Sequence, residues 1–175
     1  MSDLERLERS GDMQPVEGAV ELDVPAEALW SVFRLTNAWP QWNPCITWVR
    51  NRELELGDLL VWAFEPVRPH YLYRMPAIAR IAELEPGRKV SWDVTAFPGM
   101  YARHTYRIEP VDRGRCRFGS WEKATGPGFR AIRPLWLAHF RFVCESSLSG
   151  ARDLEQRYAR DGSFQPLLAE YGRPS

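Results

Sequence analysis

The chain has 175 residues, 23 basic against 23 acidic side chains, three cysteines, and an unusually high aromatic content that includes eight tryptophans. A chain of this size buries about 70% of its unfolded surface, enough for a core without disulfides or metals. The balanced charge excludes a global field that would draw nucleic acid or an anionic membrane surface. Three cysteines without a C-x-x-C pair point to a reducing interior rather than a disulfide framework.

Residues 1–14 are polar and read as a flexible N-terminal arm, 15–160 as one ligand-binding domain, and 161–175 as a C-terminal tail. The charged N-terminus has no apolar run of the signal-peptide kind and no window reaches a membrane span, so a cytoplasmic location is expected. Alternation over 16–24 predicts a half-buried strand. Pro25 suits the first turn of a short helix, which Ala26, Leu29, Trp30 and Phe33 continue as an apolar stripe. Trp39-Pro40-Gln41-Trp42-Asn43-Pro44 cannot form a long helix and predicts a rigid aromatic corner.

Strands are predicted over 46–50 and 59–64, then an irregular, proline-rich crossing over 65–76 that carries His70, Tyr71 and Tyr73. Strands over 77–84 and 90–96 flank Glu85-Pro86-Gly87-Arg88, with Pro and Gly at the centre of a type II turn. Pro76 is expected at an edge or outside the ladder. Two more strands, 101–109 and 115–123, follow. Phe97-Pro98-Gly99-Met100, between strands 90–96 and 101–109, reads either as a turn or as a gate over a cavity. From Arg133 to Arg160, Leu137, Phe140, Cys144, Leu148, Ala151, Leu154 and Tyr158 recur every three or four residues, predicting one long amphipathic helix interrupted in propensity by Gly150.

The expected class is α+β: about seven antiparallel strands curling under their own twist around the long helix, with two short helices between strands 1 and 2. Alternation places Ala102, His104, Tyr106 and Ile108 on the inner face of one strand, and Cys116, Phe118, Ser120 and Glu122 on that of the next. Arg103, Thr105, Arg107 and Glu109 then point outwards, and Val90, Trp92 and Val94 inwards. A one-residue slip would invert all of this.

In this order the Pro-Ala-Glu-Ala-Leu-Trp helix opening, the aromatic corner, the Glu85–Arg88 hairpin followed by Val90-Ser91-Trp92, the stretch Arg103-His104-Thr105-Tyr106-Arg107-Ile108-Glu109-Pro110 and the terminal helix resemble the START/pollen-allergen (SRPBCC) superfamily. The polyketide cyclase/dehydrase-type members are the nearest likeness. The resemblance covers about residues 15–159 and implies a helix-grip fold with a cavity between sheet and helix for a hydrophobic small molecule. Members range from lipid and hormone carriers to aromatase/cyclases and share no catalytic set, so no role is carried over by position.

The expected ligand is hydrophobic, aromatic or polycyclic, held by Trp30, Trp42, Trp62, Trp92, Phe97, Met100, His104, Tyr106, Phe118, Ser120 and Glu122. Two alternatives stay open. One is a cyclase or dehydratase with His104, Tyr106 and Glu122 in acid–base roles, since proton removal beside a carbonyl suits a histidine near neutrality. The other is a packed interaction module, its polar set satisfying itself and its aromatic corner or residues 164–171 docking a partner. The three histidines are too separated for metal-ligand spacing, and no phosphate loop or cofactor motif is present. His139 reads as a residue on the flank of the helix. Monomer and homodimer are both compatible with the sequence.

Overall fold

The structure, a computed structural model, describes residues 13–67, 72–95 and 99–172. Strand β1 (Val16–Leu22) leads into helix α1 (Ala26–Phe33) and a 3₁₀ turn (Thr36–Gln41). Six strands follow: β2 (Ile46–Val49), β3 (Leu59–Phe64), β4 (Met75–Glu85), β5 (Lys89–Thr95), β6 (Tyr101–Pro110) and β7 (Cys116–Thr125). A short helix α2 (Pro127–Ala131), the long α3 (Arg133–Asp161) and α4 (Gln165–Tyr171) end the chain.

All seven strands form one antiparallel sheet in the order β1-β7-β6-β5-β4-β3-β2. Strands β2 to β7 make a meander, and β1 closes it beside β7. The two edges are therefore β1 and β2, and α1 with the 3₁₀ turn carries the chain from one to the other. Register shifts between Ile46 and Trp48 and between Ile81 and Glu83 add local twist to a sheet that already curls. This is the expected helix-grip arrangement: a curved sheet around a long C-terminal helix. At 29 residues α3 is about 43 Å long, and it lies across β1 and β7.

Local chemistry sets the joints. Gly87 adopts φ 83° in the β4–β5 hairpin, as a type II turn requires, and Arg88 N–H donates to the Glu85 carbonyl at 2.9 Å. Pro76 stands opposite Ala63 of β3, whereas the β5 ladder reaches β4 only from Ala79. The strand is internal, yet its proline lies beyond the reach of the β5 pairing, which is how an imide without N–H is accommodated. Gly18 lets α3 approach β1: a Cβ there would stand 2.7 Å from Leu148 Cδ1.

The predicted inner faces are buried: Ala102, His104, Tyr106 and Ile108 on β6, and Cys116, Phe118, Ser120 and Glu122 on β7. The outer face departs from expectation. Arg103 and Thr105 point away from the helix yet are buried. Arg103 is clamped by both carboxylate oxygens of Asp93, at 2.6 and 2.7 Å, and reaches Glu83 at 3.3 Å. Ser91 and Thr105 hydrogen-bond beside it at 2.9 Å. A long guanidinium laid flat over the strands covers them, so facing outwards does not mean exposure.

The tail is also more ordered than its composition predicts. Gly162 ends α3 in the left-handed conformation (φ 69°), its N–H on the Tyr158 carbonyl. The chain turns back, Phe164 packs on Tyr158 with ring centroids 5.2 Å apart, and Leu167 is buried against the main core.

Candidate functional site

Between the inner face of the sheet and the first half of α3 a small cavity remains, open to the centre of a water molecule over about 50 Å³. That is room for about three to five waters, or for a single ring. Its wall comes from the ends of β3 to β7 that meet the start of α3. Trp62 and Phe64 come from β3, Met75 and Ala77 from β4, Trp92 and Val94 from β5, and Trp136, His139, Phe140 and Val143 from α3. Trp39, Ile46, Met100, Ala102, His104, Tyr106 and Glu122 complete it.

Antiparallel register assembles the polar part. His104 pairs with Glu122 across β6 and β7, Tyr106 with Ser120, and Trp92 of β5 with His104. His104 Nδ1 lies 3.1 Å from Glu122 Oε2, and Nε2 lies 3.1 Å from Ser120 Oγ. A carboxylate oxygen accepts, so Nδ1–H donates to Glu122, and Nε2 meets the Ser120 hydroxyl. Trp92 stacks on the imidazole, with centroids 5.2 Å apart and planes 20° apart. The ring is thereby held in one tautomer and one orientation.

A second buried chain ties the aromatic corner to the helix and the sheet. Ser147 donates to the Val143 carbonyl at 2.7 Å, so its oxygen accepts from Asn43 Nδ2 at 3.2 Å and from Tyr106 OH at 2.6 Å. Asn43 Oδ1 in turn accepts the Cys45 N–H and thiol, at 3.2 and 3.0 Å. Tyr106 therefore commits its proton to Ser147. Burial, reinforced by the nearby Cys45 and Glu122, pushes its pKa well above the usual phenol value and keeps it protonated. Burial, with help from Glu122, likewise pushes up the Cys45 thiol. All three cysteines are free and buried.

His139 is not the flank residue its sequence position suggests. It is buried, edge-on to Phe64 with centroids 4.7 Å apart, and 6.0 Å from Trp136. Burial lowers its pKa to about 4, so the ring is neutral at physiological pH. Among the described residues no Lys or Arg lines the cavity. Among the described residues no group of three or more His, Cys, Asp and Glu side chains is placed to hold a metal.

Of the residues singled out from the sequence, Trp62, Trp92, Met100, His104, Tyr106 and Glu122 meet around this space. Ser120 stands one step behind, on His104. Phe118 stacks behind Tyr106 at 5.5 Å. Trp30 and Trp42 pack on Phe33, at 5.8 and 6.1 Å, away from the cavity. Phe97, His70 and Tyr71 lie outside the described residues, as does the first half of the suggested gate. Its second half is described: Gly99 has φ 78°, and Met100 is buried in the wall.

Sequence reasoning passed over Phe64, Trp136 and Val143, and read His139 only as a flank residue. A signal for the helical ones existed. Trp136, Phe140, Val143, Ser147, Gly150 and Leu154 repeat at spacings of four and three, and all are buried. Ser147 and Gly150 in that stripe disguise it as polar, which moved the expected face round by about one residue.

The family profile described as "Polyketide cyclase / dehydrase and lipid transport" matches residues 13–145. No curated protein matches the chain. Among solved structures the fold is similar to the Zhui aromatase/cyclase from Streptomyces sp. R1128 (TM-score 0.69, 16% identity, 85% of this chain and 97% of that one). It is also similar to a START superfamily protein from Mycobacterium smegmatis (TM-score 0.57, 15% identity, 80% and 98%). A third likeness is ginseng major latex-like protein 151 from Panax ginseng (TM-score 0.61, 12% identity, 82% and 96%). At such identities these likenesses speak for the fold alone. With three quarters of its length matched by the profile and a helix-grip architecture around an aromatic cavity, the chain belongs to the polyketide cyclase / dehydrase and lipid transport family.

Proposed function

We propose that the protein binds a hydrophobic small molecule of aromatic character in the cavity between sheet and α3. The observation that carries this reading is the wall itself: indole and phenyl rings from three strands, the corner and the helix enclose a residual volume beside a buried carboxylate–imidazole pair. Apolar walls with a few oriented polar groups are the usual make-up of a ligand pocket. The volume suits one ring as the side chains stand; a polycyclic ligand requires some of them to give way.

Titration with phenol, followed by tryptophan fluorescence, tests the reading. Saturable quenching that disappears in Ala102→Leu, which fills the space from β6, is the expected result. Quenching that survives that substitution unchanged places the ligand elsewhere and refutes it.

A second reading is supported by the fixed tautomer of His104. An imidazole hydrogen-bonded to a carboxylate through Nδ1 is arranged as a general base at Nε2, once Ser120 yields to a ligand. Tyr106 is less suited to the acid's role, because its proton is held by Ser147. In this reading acetophenone in heavy water exchanges its methyl protons in the presence of the protein, followed by NMR. His104→Ala should abolish the exchange and leave binding intact; equal exchange in both proteins removes the catalytic reading.

A further inference from the structure

The wall of the cavity contains one carboxylate, and that carboxylate is only half used. Glu122 is 6% exposed, its Oε2 is engaged by His104, and its Oε1 accepts no hydrogen bond from a described residue. Among the described residues no Lys or Arg shares the cavity. The charge is felt throughout the interior: Glu122 contributes to raising the pKa of Cys45, Tyr106, Cys144 and His139. A buried carboxylate with a spare oxygen is costly, and a donor that carries a counter-charge relieves that cost.

What surrounds it favours one kind of counter-charge. Trp62, Trp92 and Trp136 line the same space, with Trp62 and Trp92 at 66° to one another and 6.0 Å apart. Indole faces attract cations, most strongly where water is excluded. A divalent metal needs six or more oxygens, or several nitrogen and sulfur ligands, and the wall does not provide them. An ammonium group needs only one carboxylate and ring faces. A neutral hydroxyl would satisfy Oε1 but leave the charge uncompensated.

We propose that the ligand is a protonated amine carried on a single aromatic ring, its ammonium seated at Glu122 Oε1 in the space lined by Trp62, Trp92 and Trp136. This rests on the reading that the cavity binds a small aromatic molecule, and adds the charge and size of that molecule. The cavity volume sets the size, since a second fused ring exceeds it.

The test compares benzylamine, protonated at pH 7, with benzyl alcohol, its neutral counterpart of the same shape, by calorimetric titration of the full chain. Benzylamine is expected to bind at least tenfold more tightly. Glu122→Gln should remove that preference by weakening the amine tenfold or more while leaving the alcohol within about twofold. Equal or tighter binding of the alcohol to the wild-type protein overturns the amine assignment and leaves the aromatic-ligand reading standing. Binding of neither compound overturns both. Should Glu122→Gln not fold, the wild-type comparison decides alone.

Discussion

Gly150 sits in the middle of α3, where substitution by alanine should stabilise a helix by about 1 kcal/mol. In this protein the opposite is expected. A Cβ at Gly150 would stand 2.2 Å from the Trp42 carbonyl oxygen and 3.0 Å from Trp42 Cε3. Ordinary contact begins near 3.4 Å, so helix and corner must separate by roughly 1.2 Å. Neither side yields easily, since both partners are backbone or a packed ring. The separation would also stretch the 3.2 Å Asn43–Ser147 hydrogen bond one helical turn earlier.

Overpacking costs about 1–3 kcal/mol and a broken buried hydrogen bond about 1–3 kcal/mol. Against the propensity gain, the net loss is about 3 kcal/mol. For a chain of this length that lowers the thermal midpoint by roughly 6–12 °C. Ser149→Ala, on the exposed side of the same turn, is the control and should change the midpoint little. Calorimetric melting of both variants reads the difference directly. A Gly150→Ala protein that melts at or above the wild type would refute the close approach of α3 to the aromatic corner.

Three further outcomes follow from the buried polar groups. His139 has its pKa lowered to about 4 from an unfolded value of 6.5, so the unfolded chain binds a proton there that the folded chain resists. Its contribution is full above about pH 6.5 and is lost as pH falls towards 4, by about 3 kcal/mol over that window. Denaturant melts at pH 7 and pH 4 should show His139→Phe losing that much less than the wild type; equal losses would place His139 in contact with water. Ser147→Ala leaves both Tyr106 OH and Asn43 Nδ2 without their acceptor, for about 2–4 kcal/mol. Adding Tyr106→Phe should recover part of that loss, and strict additivity in the double-mutant cycle would contradict the shared acceptor. On the outer face, Arg103→Met breaks the clamp on Asp93 and should destabilise by about 1–3 kcal/mol while leaving phenol binding unchanged, read by urea melts and fluorescence titration.

The parts of the architecture legible in the sequence were those with a local physical cause. Alternation on β6 and β7 placed His104, Tyr106, Ser120 and Glu122 on one face, because one buried face fixes register. Pro86-Gly87 fixed the hairpin that aligns Trp92 with them. What depends on three-dimensional packing was not legible. Burial of Arg103 requires Asp93 and Glu83 to converge from neighbouring strands. The true buried face of α3 is written partly in Ser147 and Gly150, whose reasons for being there are the hydroxyl and the carbonyl they meet on the corner. The cavity volume likewise depends on the rotamers of the nine aromatic rings that the described residues give the wall, which no periodicity encodes.

The central claim is that the space beside Glu122 is where a small aromatic molecule sits. Native mass spectrometry of the wild type and of Ala102→Leu, each incubated with benzylamine and with phenol, tests it most directly. A one-to-one adduct on the wild type with at least one compound, absent from the filled variant of equal stability, is the predicted result. Adducts of equal occupancy on both proteins, or none on either, would contradict it.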